Sequence, residues 1–339
     1  MLNRMAMRHR RFAVASIASA VWSVAACGAG SGGFALRLGH DQVDGHPYDV
    51  AADTFAARVT RATGGTITIR VFPASQLGDS PEQIEGLHLG TLDLALAAFS
   101  HASQFCPELG LFGAPFLFEN DAHFAAVFDG DVGAALERAC AQRYAIRLLS
   151  TLTSGYRVLF NGKRPVESAA DLRNLKIRVM GGEADALTWQ AFGAIPVPMP
   201  YSEVYSALQA GVIDGAENEA VSILSNRFYE AARYVARTNH LVLPMGLFIS
   251  QQTLERLPAG LGDVLRTQAR ETAMWERVLM ADRNAAAIAQ MQQRFGVQVS
   301  GLDAAVLREH AVRVQDAIAT ELGLQDLLAQ VRAAGGASR

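Results

Sequence analysis

The chain has 339 residues, 50% of them hydrophobic, and a formal net charge of −3. That length suits about two domains with sizeable cores, and the near-balanced charge, with no basic stripe or acidic block, gives no support to a nucleic-acid surface or a disordered acidic tail. Only Lys163 and Lys176 are lysines among 30 basic residues, so the arginine excess belongs to the whole chain and residue type alone selects no single arginine.

The N-terminus reads as an address. Arg4, Arg8, Arg10 and Arg11 precede an apolar stretch from Phe12 to Ala26 that is too short to span a bilayer. It ends in Val24-Ala25-Ala26-Cys27, which resembles a bacterial lipobox, so residues 1–27 are expected to direct export and Cys27 to be acylated. Plain cleavage near Ala26 or Ala35 is the alternative. The remaining cysteines, Cys106 and Cys140, would sit in an oxidising compartment and could pair or stay as buried thiols. No CxxC or His/Cys cluster suggests a metal site.

From Ala35 the pattern alternates strand and helix. Ala35–His40 predicts a strand, and Pro47 opens a helix carrying Val50, Ala51, Phe55 and Val59 on one face. Thr66–Val71 predicts a second strand. Ser80-Pro81-Glu82-Gln83 has the form of a capping box opening a helix that Gly90 ends. Leu92–Ala97 predicts a third strand, Asp121–Cys140 two short helices, and Ala145–Leu152 and Tyr156–Asn161 two further strands. Ser168–Asp171 is a second capping box. Lys176–Val179 alternates as a strand, Glu183–Phe192 is helical, and Ser202 would cap a helix over 203–210. Phe228–Arg237 reads as helix, followed by strands near Leu241–Leu243 and Leu247–Ser250. Asp263–Phe295 has no Gly or Pro and predicts a helix about 50 Å long. Val297–Val299 predicts a last strand, Asp303–Leu322 an amphipathic helix, and 333–339 a frayed tail. Such alternation implies an open α/β sheet.

The chemistry concentrates between Ser154 and Asn218. Arg157 and Arg178 lie on predicted strands, where a half-buried guanidinium requires a carboxylate from the protein or from a ligand. For either arginine alone an internal salt bridge is the commoner outcome. Asp214-Gly215-Ala216-Glu217-Asn218 follows a strand, at the position where open α/β sheets bind ligands, although most Asp-Gly pairs are plain turns. Tyr201, Tyr205 and Trp189 could wall a pocket, or be core aromatics. His40, His46, His101 and His240 show no metal spacing. No Gly-x-Ser-x-Gly elbow or phosphate loop is present, so no assembled motif supports an enzyme or implies a cofactor.

Five ordered blocks carry a family resemblance: PASQLGDSPEQIEGLHLGTLDLAL at 73–96, APFLF at 114–118, DLRNLKIRVM at 171–180, GAIPVPMPYSEVYSALQAGVIDGAEN at 193–218 and RFYEAARYVARTNH at 227–240. With them the chain resembles the DctP-type extracytoplasmic solute-binding proteins of TRAP transporters from Leu36 to about Gln330. The resemblance implies a periplasmic-binding-protein fold of type II character: a two-lobed α/β clamp with one long helix spanning both lobes. Lobe 1 would comprise 36–154 plus about 244–280, and lobe 2 155–243 plus about 281–332. It also implies that Arg178 grips a ligand carboxylate bidentately, that Arg157 adds a second contact, that Asn218 hydrogen-bonds the ligand and that Tyr201 lies against it. Glu217 and His240 would support these from behind. Asp41, Ser80, His40 and His101 would read the rest of the solute.

The implied function is a periplasmic receptor, not an enzyme. It would work as a monomer that hands a small organic acid to a small and a large integral membrane subunit. Positions 98 and 101 lack the Glu and Arg of sialic-acid-binding members. The D-G-A-E-N wording is nearer to members that take sugar acids such as hexuronates, although those often carry Asn where this chain has Glu219. A small dicarboxylate or aromatic acid is the alternative ligand. A sensory binding module, or a secreted enzyme on the same fold, is the alternative function.

Overall fold

Parallel strands need a crossover connection, usually a helix, and the first third of the chain supplies two. In this computed structural model, which describes residues 33–336, β1 (Phe34–Gly39) pairs in parallel with β2 (Ile67–Phe72) and with β3 (Leu94–Ala98). The helix Pro47–Ala62 links the first two strands and buries Ala51, Ala52, Phe55 and Val59 at helical spacing. The helix Ser80–Leu89 leads into the third. The export signal and Cys27 lie outside the described residues.

The pattern recurs further on. Here β5 (Lys176–Val179) pairs in parallel with β6 (Ile195–Pro198) and β7 (Gly215–Glu219), with helices Glu183–Ala191 and Val204–Gln209 in the connections. The described chain thus holds two parallel sets of strands.

One strand joins them. β4 runs unbroken from Ile146 to Asn161, where the sequence predicts two strands. Residues 146–156 pair antiparallel with β9 (Val242–Ser250), and residues 157–161 with β7 and with β8 (Tyr234–Arg237). The register shifts between Thr153 and Tyr156. Gly155 lies there with φ +65°, and a Cβ on it would fall 2.7 Å from Asn284 Nδ2. A positive φ and a close neighbour both demand glycine. The strand therefore bulges and bends at this glycine.

The long helix, Leu261–Phe295, packs along β4 and against helices Pro47–Ala62 and Ala220–Ser225. It buries Leu265, Ala269, Thr272, Glu276, Met280, Ala287 and Met291 along one side. Asn284 ties it to the bend by donating to Ser154 O (3.0 Å) and accepting from Val221 N (3.0 Å). No helix among the described residues is long and apolar enough to cross a membrane.

Several local expectations change. Phe228–Arg237 is not one helix: a short turn over Phe228–Glu230 gives way to β8, because Tyr234–Arg237 finds ladder partners in β4 and β10 (Gln298–Gly301). Ser80 does not cap its helix. Asp79 holds the cap position and the Ser80 hydroxyl turns to Asp41. Ser202 likewise leaves its helix to donate to Asp79 Oδ2 at 2.6 Å. The capping box at Ser168 and Asp171 forms as expected. After helix Ala305–Leu322 the chain forms another helix, Gln325–Gly336, which packs on Asp121–Phe128 and Asp131–Arg143, so the chain end returns to elements assigned from sequence to lobe 1. Cys106 and Cys140 form a disulfide within that region.

Candidate functional site

The two arginines reach one cleft because their strands flank the same neighbour. In the sheet, β7 lies between β4 and β5, with Arg157 opposite Glu219 and Arg178 opposite Ala216. β7 reads Gly-Ala-Glu-Asn-Glu and is buried throughout. Residue alternation sends Glu217 and Glu219 to one side of it and Asn218 to the other.

Buried carboxylates need cations, and Arg157 supplies one to both. Its Nε and Nη2 grip the Glu217 carboxylate, the Nη2 contact at 2.8 Å, and Nη2 also donates to the Glu217 carbonyl at 2.9 Å. Nη1 donates to Glu219 Oε2 at 2.8 Å. A guanidinium has five N–H donors, so little of Arg157 remains uncommitted. Burial opposes its charge, but the two carboxylates outweigh that and raise its pKa. Glu217 is held below the ordinary carboxylate range, its burial being outweighed by Arg157. Glu219 is raised, mainly by burial, despite the same arginine.

Arg178 is as deeply buried, at 3% exposed against 4% for Arg157, yet its circumstances are opposite. Nε donates to Met199 O at 3.0 Å, and the guanidinium lies 5.7 Å from the centre of the Tyr201 ring. Among the described residues no carboxylate forms an ion pair with it. Burial therefore lowers its pKa, partly offset by Glu217 and reinforced by Arg157. A buried cation without a partner is costly.

Tyr201 fixes the cleft's second wall. Its hydroxyl accepts from Asn218 Nδ2 (3.2 Å) and Asn226 Nδ2 (3.0 Å) and donates to Gln42 Oε1 (3.4 Å). Gln42, just after β1, also accepts from Asn226 Nδ2 (3.3 Å) and lies 3.3 Å from the Ser222 hydroxyl, whose proton goes to the nearer Glu219 Oε1. With Ser202–Asp79 and His46 Nε2–Ser222 Oγ (2.9 Å), these bonds latch the lobes together.

Between them lies a cavity of about 30 Å³ lined by Arg178, Arg157, Asn218, Tyr201, Asp41 and His101, together with Gln42, Tyr48, Ala98, Met180, Glu219, Leu243 and Met245.

Six of the eight expected ligand-reading residues thus face one space. Ser80 does not line it but donates to Asp41 Oδ2 at 2.9 Å, fixing that carboxylate. His40 faces helix Pro47–Ala62, with Nε2 3.3 Å from Asp49 Oδ1. His240 sits behind Glu217, Nε2 to Oε2 3.6 Å, with Nδ1 bonded to Thr238 Oγ1 at 2.9 Å and its ring 5.0 Å from Trp189. Burial pushes His240 down to about 4, and His101 likewise. Gln42, Met180 and Met245 were not singled out from sequence, since nothing in their neighbourhoods distinguishes them from ordinary core or turn residues. Glu219 was noted only as a departure. No group of His, Cys, Asp and Glu among the described residues could hold a metal ion.

A carboxylate-sized vacancy of charge beside a lobe interface is the arrangement of a solute clamp. Residues 38–321 match the bacterial extracellular solute-binding proteins of family 7, the DctP family. The chain belongs to that family. Among its relatives, the 2,3-diketo-L-gulonate-binding periplasmic protein YiaO of Escherichia coli is 30% identical over 264 residues, covering 78% of this chain and 80% of the relative. Among solved structures, a TRAP periplasmic solute-binding protein of Roseobacter denitrificans with bound β-D-glucuronate superposes with a TM-score of 0.83 at 30% identity, covering 88% of this chain and 99% of the other. A counterpart from Polaromonas, bound to D-erythronate, gives 0.85 at 29%, with 88% and 98% covered. The DctP chain described here is therefore a solute-binding protein of the TRAP transport class, with the two-lobed fold of periplasmic members.

Proposed function

We propose that this protein captures a sugar acid in the periplasm by closing its lobes on the ligand carboxylate at Arg178, and passes it to TRAP membrane subunits. The observation that carries the reading is the unpaired, buried Arg178 guanidinium at the wall of the interlobe cavity. A carboxylate there would gain two parallel charge-assisted hydrogen bonds and cancel a buried charge. The sugar-acid class rests on relatives of about this similarity that hold glucuronate, galacturonate and erythronate.

Tyr201 and Asn218 would contact the bound acid from the second lobe, and Asp41 and His101 from the first. Arg157 would orient β7 and, at most through its remaining Nη1 hydrogen, touch the ligand. The ligand favours the closed form by binding it better than the open one, and the lobe boundary would fall near Thr153–Tyr156. The protein would act as a monomeric receptor without catalysis, exported by its N-terminal segment and, if Cys27 is acylated, tethered to the membrane.

Calorimetric titration with galacturonate, glucuronate, galactonate and erythronate tests this. At least one should bind, and the Arg178→Ala variant should lose it. Binding that survives in that variant would remove Arg178 from the site.

A further inference from the structure

We infer that Glu219 is a specificity-determining residue that restricts the ligand to a single carboxylate and excludes diacids. The inference rests on the carboxylate clamp proposed above and concerns the opposite wall of the same cavity.

The cavity walls offer two arginines, but only Arg178 lacks a carboxylate partner among the described residues; Arg157 keeps a single uncommitted Nη1 hydrogen. Arg157 is committed to Glu217 and to Glu219 Oε2. The second oxygen of Glu219 accepts from Ser222 Oγ at 2.5 Å and lies 3.7 Å from His46 Nε2. Asp41, also on the wall, accepts from Ser80 Oγ and from Gln42 Nε2 at 3.2 Å. Ser80 and Ser222 thus point their protons at carboxylates rather than into the cavity, and the Tyr201 hydroxyl spends its proton on Gln42.

The charge pattern follows. Arg178 is a cation waiting for one anion. Away from it, the wall presents the lone pairs of two carboxylates, Glu219 and Asp41, which are acceptors only when ionised. Such a wall suits the hydroxyl groups of a polyhydroxy chain, each of which donates. A second carboxylate on the ligand would meet like charge, and no second guanidinium lacking a carboxylate partner lines the cavity among the described residues. Like-charge juxtaposition at a desolvated interface costs several kcal/mol, and specificity is often set by such repulsion. With an amide at position 219, Arg157 would keep an oxygen acceptor for Nη1 but lose one of the two negative charges that balance it, so a second carboxylate on the ligand would meet less like charge on that wall.

Two matched pairs of open-chain acids separate the effects, because each differs only by CH₂OH against COO⁻: D-galactonate with galactarate, and D-erythronate with meso-tartrate. Calorimetry on the wild-type protein should give a monoacid-to-diacid affinity ratio of about 100 or more in the pair that fits, on the scale of one buried like-charge contact. Glu219→Gln should reduce that ratio by about tenfold or more, chiefly by gaining diacid affinity, whereas Glu219→Asp, which keeps the charge, should preserve it.

A wild-type protein that binds diacid as tightly as monoacid overturns the inference, and needs no variant to do so. So does an unchanged ratio in a folded Glu219→Gln. If diacid binding is tight yet vanishes in Arg178→Ala, the clamp stands and only the role of Glu219 falls. If no acid binds, galacturonate included, the clamp falls and the inference with it.

Discussion

Arg157 and Arg178 are alike in their placement. Both sit on strands beside β7, both are buried almost completely, and both border the same cavity. Their donors tell them apart. Arg157 is neutralised from within by Glu217 and Glu219, whereas Arg178 has one main-chain acceptor and an aromatic ring. The first behaves as a strut, part of what holds β4 and β7 together. The second is a charge that no carboxylate among the described residues answers. Burial alone therefore does not distinguish a structural arginine from a ligand-gripping one; the count of satisfied N–H groups does.

That contrast has measurable consequences. The largest is expected at Arg157. Replacing it with Ala leaves two buried carboxylates uncompensated, which should cost about 3–5 kcal/mol of folding stability, read from urea unfolding midpoints. A loss below about 1 kcal/mol, the level of an exposed pair, would mean that the cluster is not a strut. Arg178→Ala should do the reverse. Stability should hold or rise, since an unpaired buried cation is removed, while affinity for the bound acid falls by about 2–5 kcal/mol. A stability loss comparable to that of Arg157→Ala would erase the distinction.

His240 gives the contrast a pH dependence. It packs behind Glu217, and burial holds its folded pKa near 4 against 6.5 for the free side chain. Between those values the unfolded chain takes up a proton that the folded protein refuses. The histidine's contribution therefore disfavours folding progressively as pH falls from 6.5 to 4, by up to about 1.4 kcal/mol per pH unit. Comparison with His240→Gln isolates this from other titrating groups. Glu276 is one of these: buried on the long helix and raised to about 8, it acts oppositely, favouring the folded state at low pH and losing that advantage as pH rises from 4.5 to 8. A stability difference between wild type and His240→Gln that stays flat over pH 4–6.5 would contradict a buried, neutral His240.

The smallest effect is expected at Tyr201. Tyr201→Phe keeps the ring over Arg178 but removes the hydroxyl that joins Asn218 and Asn226 to Gln42 across the lobes. Each hydrogen bond nets about 0.5–1.5 kcal/mol, so affinity should weaken several-fold with little change in melting temperature. Unchanged affinity would show that the latch does not contribute to closure.

Much of the fold was legible because it is local. The alternation of Leu36 and Leu38, the helical stripe through Phe55 and Val59, and the Gly- and Pro-free run to Phe295 each declare their element. Segments whose state depends on a distant partner were not legible. Tyr234–Arg237 continues a run read as helical, yet becomes a strand because β4 and β10 offer ladders to its Tyr and Val. Ser80 and Ser202 look like caps but are drawn away by Asp41 and Asp79. The pairing of Cys106 with Cys140 depends on a separation that no spacing reveals.

The site divides in the same way. By its residue order the sequence determined that two arginines would lie on strands of an open α/β sheet, because strand periodicity acts over a few residues; the Asp-Gly-Ala-Glu-Asn segment, read as a turn, is instead the central strand β7, because β4 and β5 offer it ladders on both sides. Only the tertiary structure decided which arginine is free. That depends on the register placing Arg157 opposite Glu219, on the alternation that puts Glu217 on the same side, and on tertiary packing that brings Gln42 to Tyr201 from 159 residues away. Charge pairing is a property of distances in space, and a linear chain does not contain them.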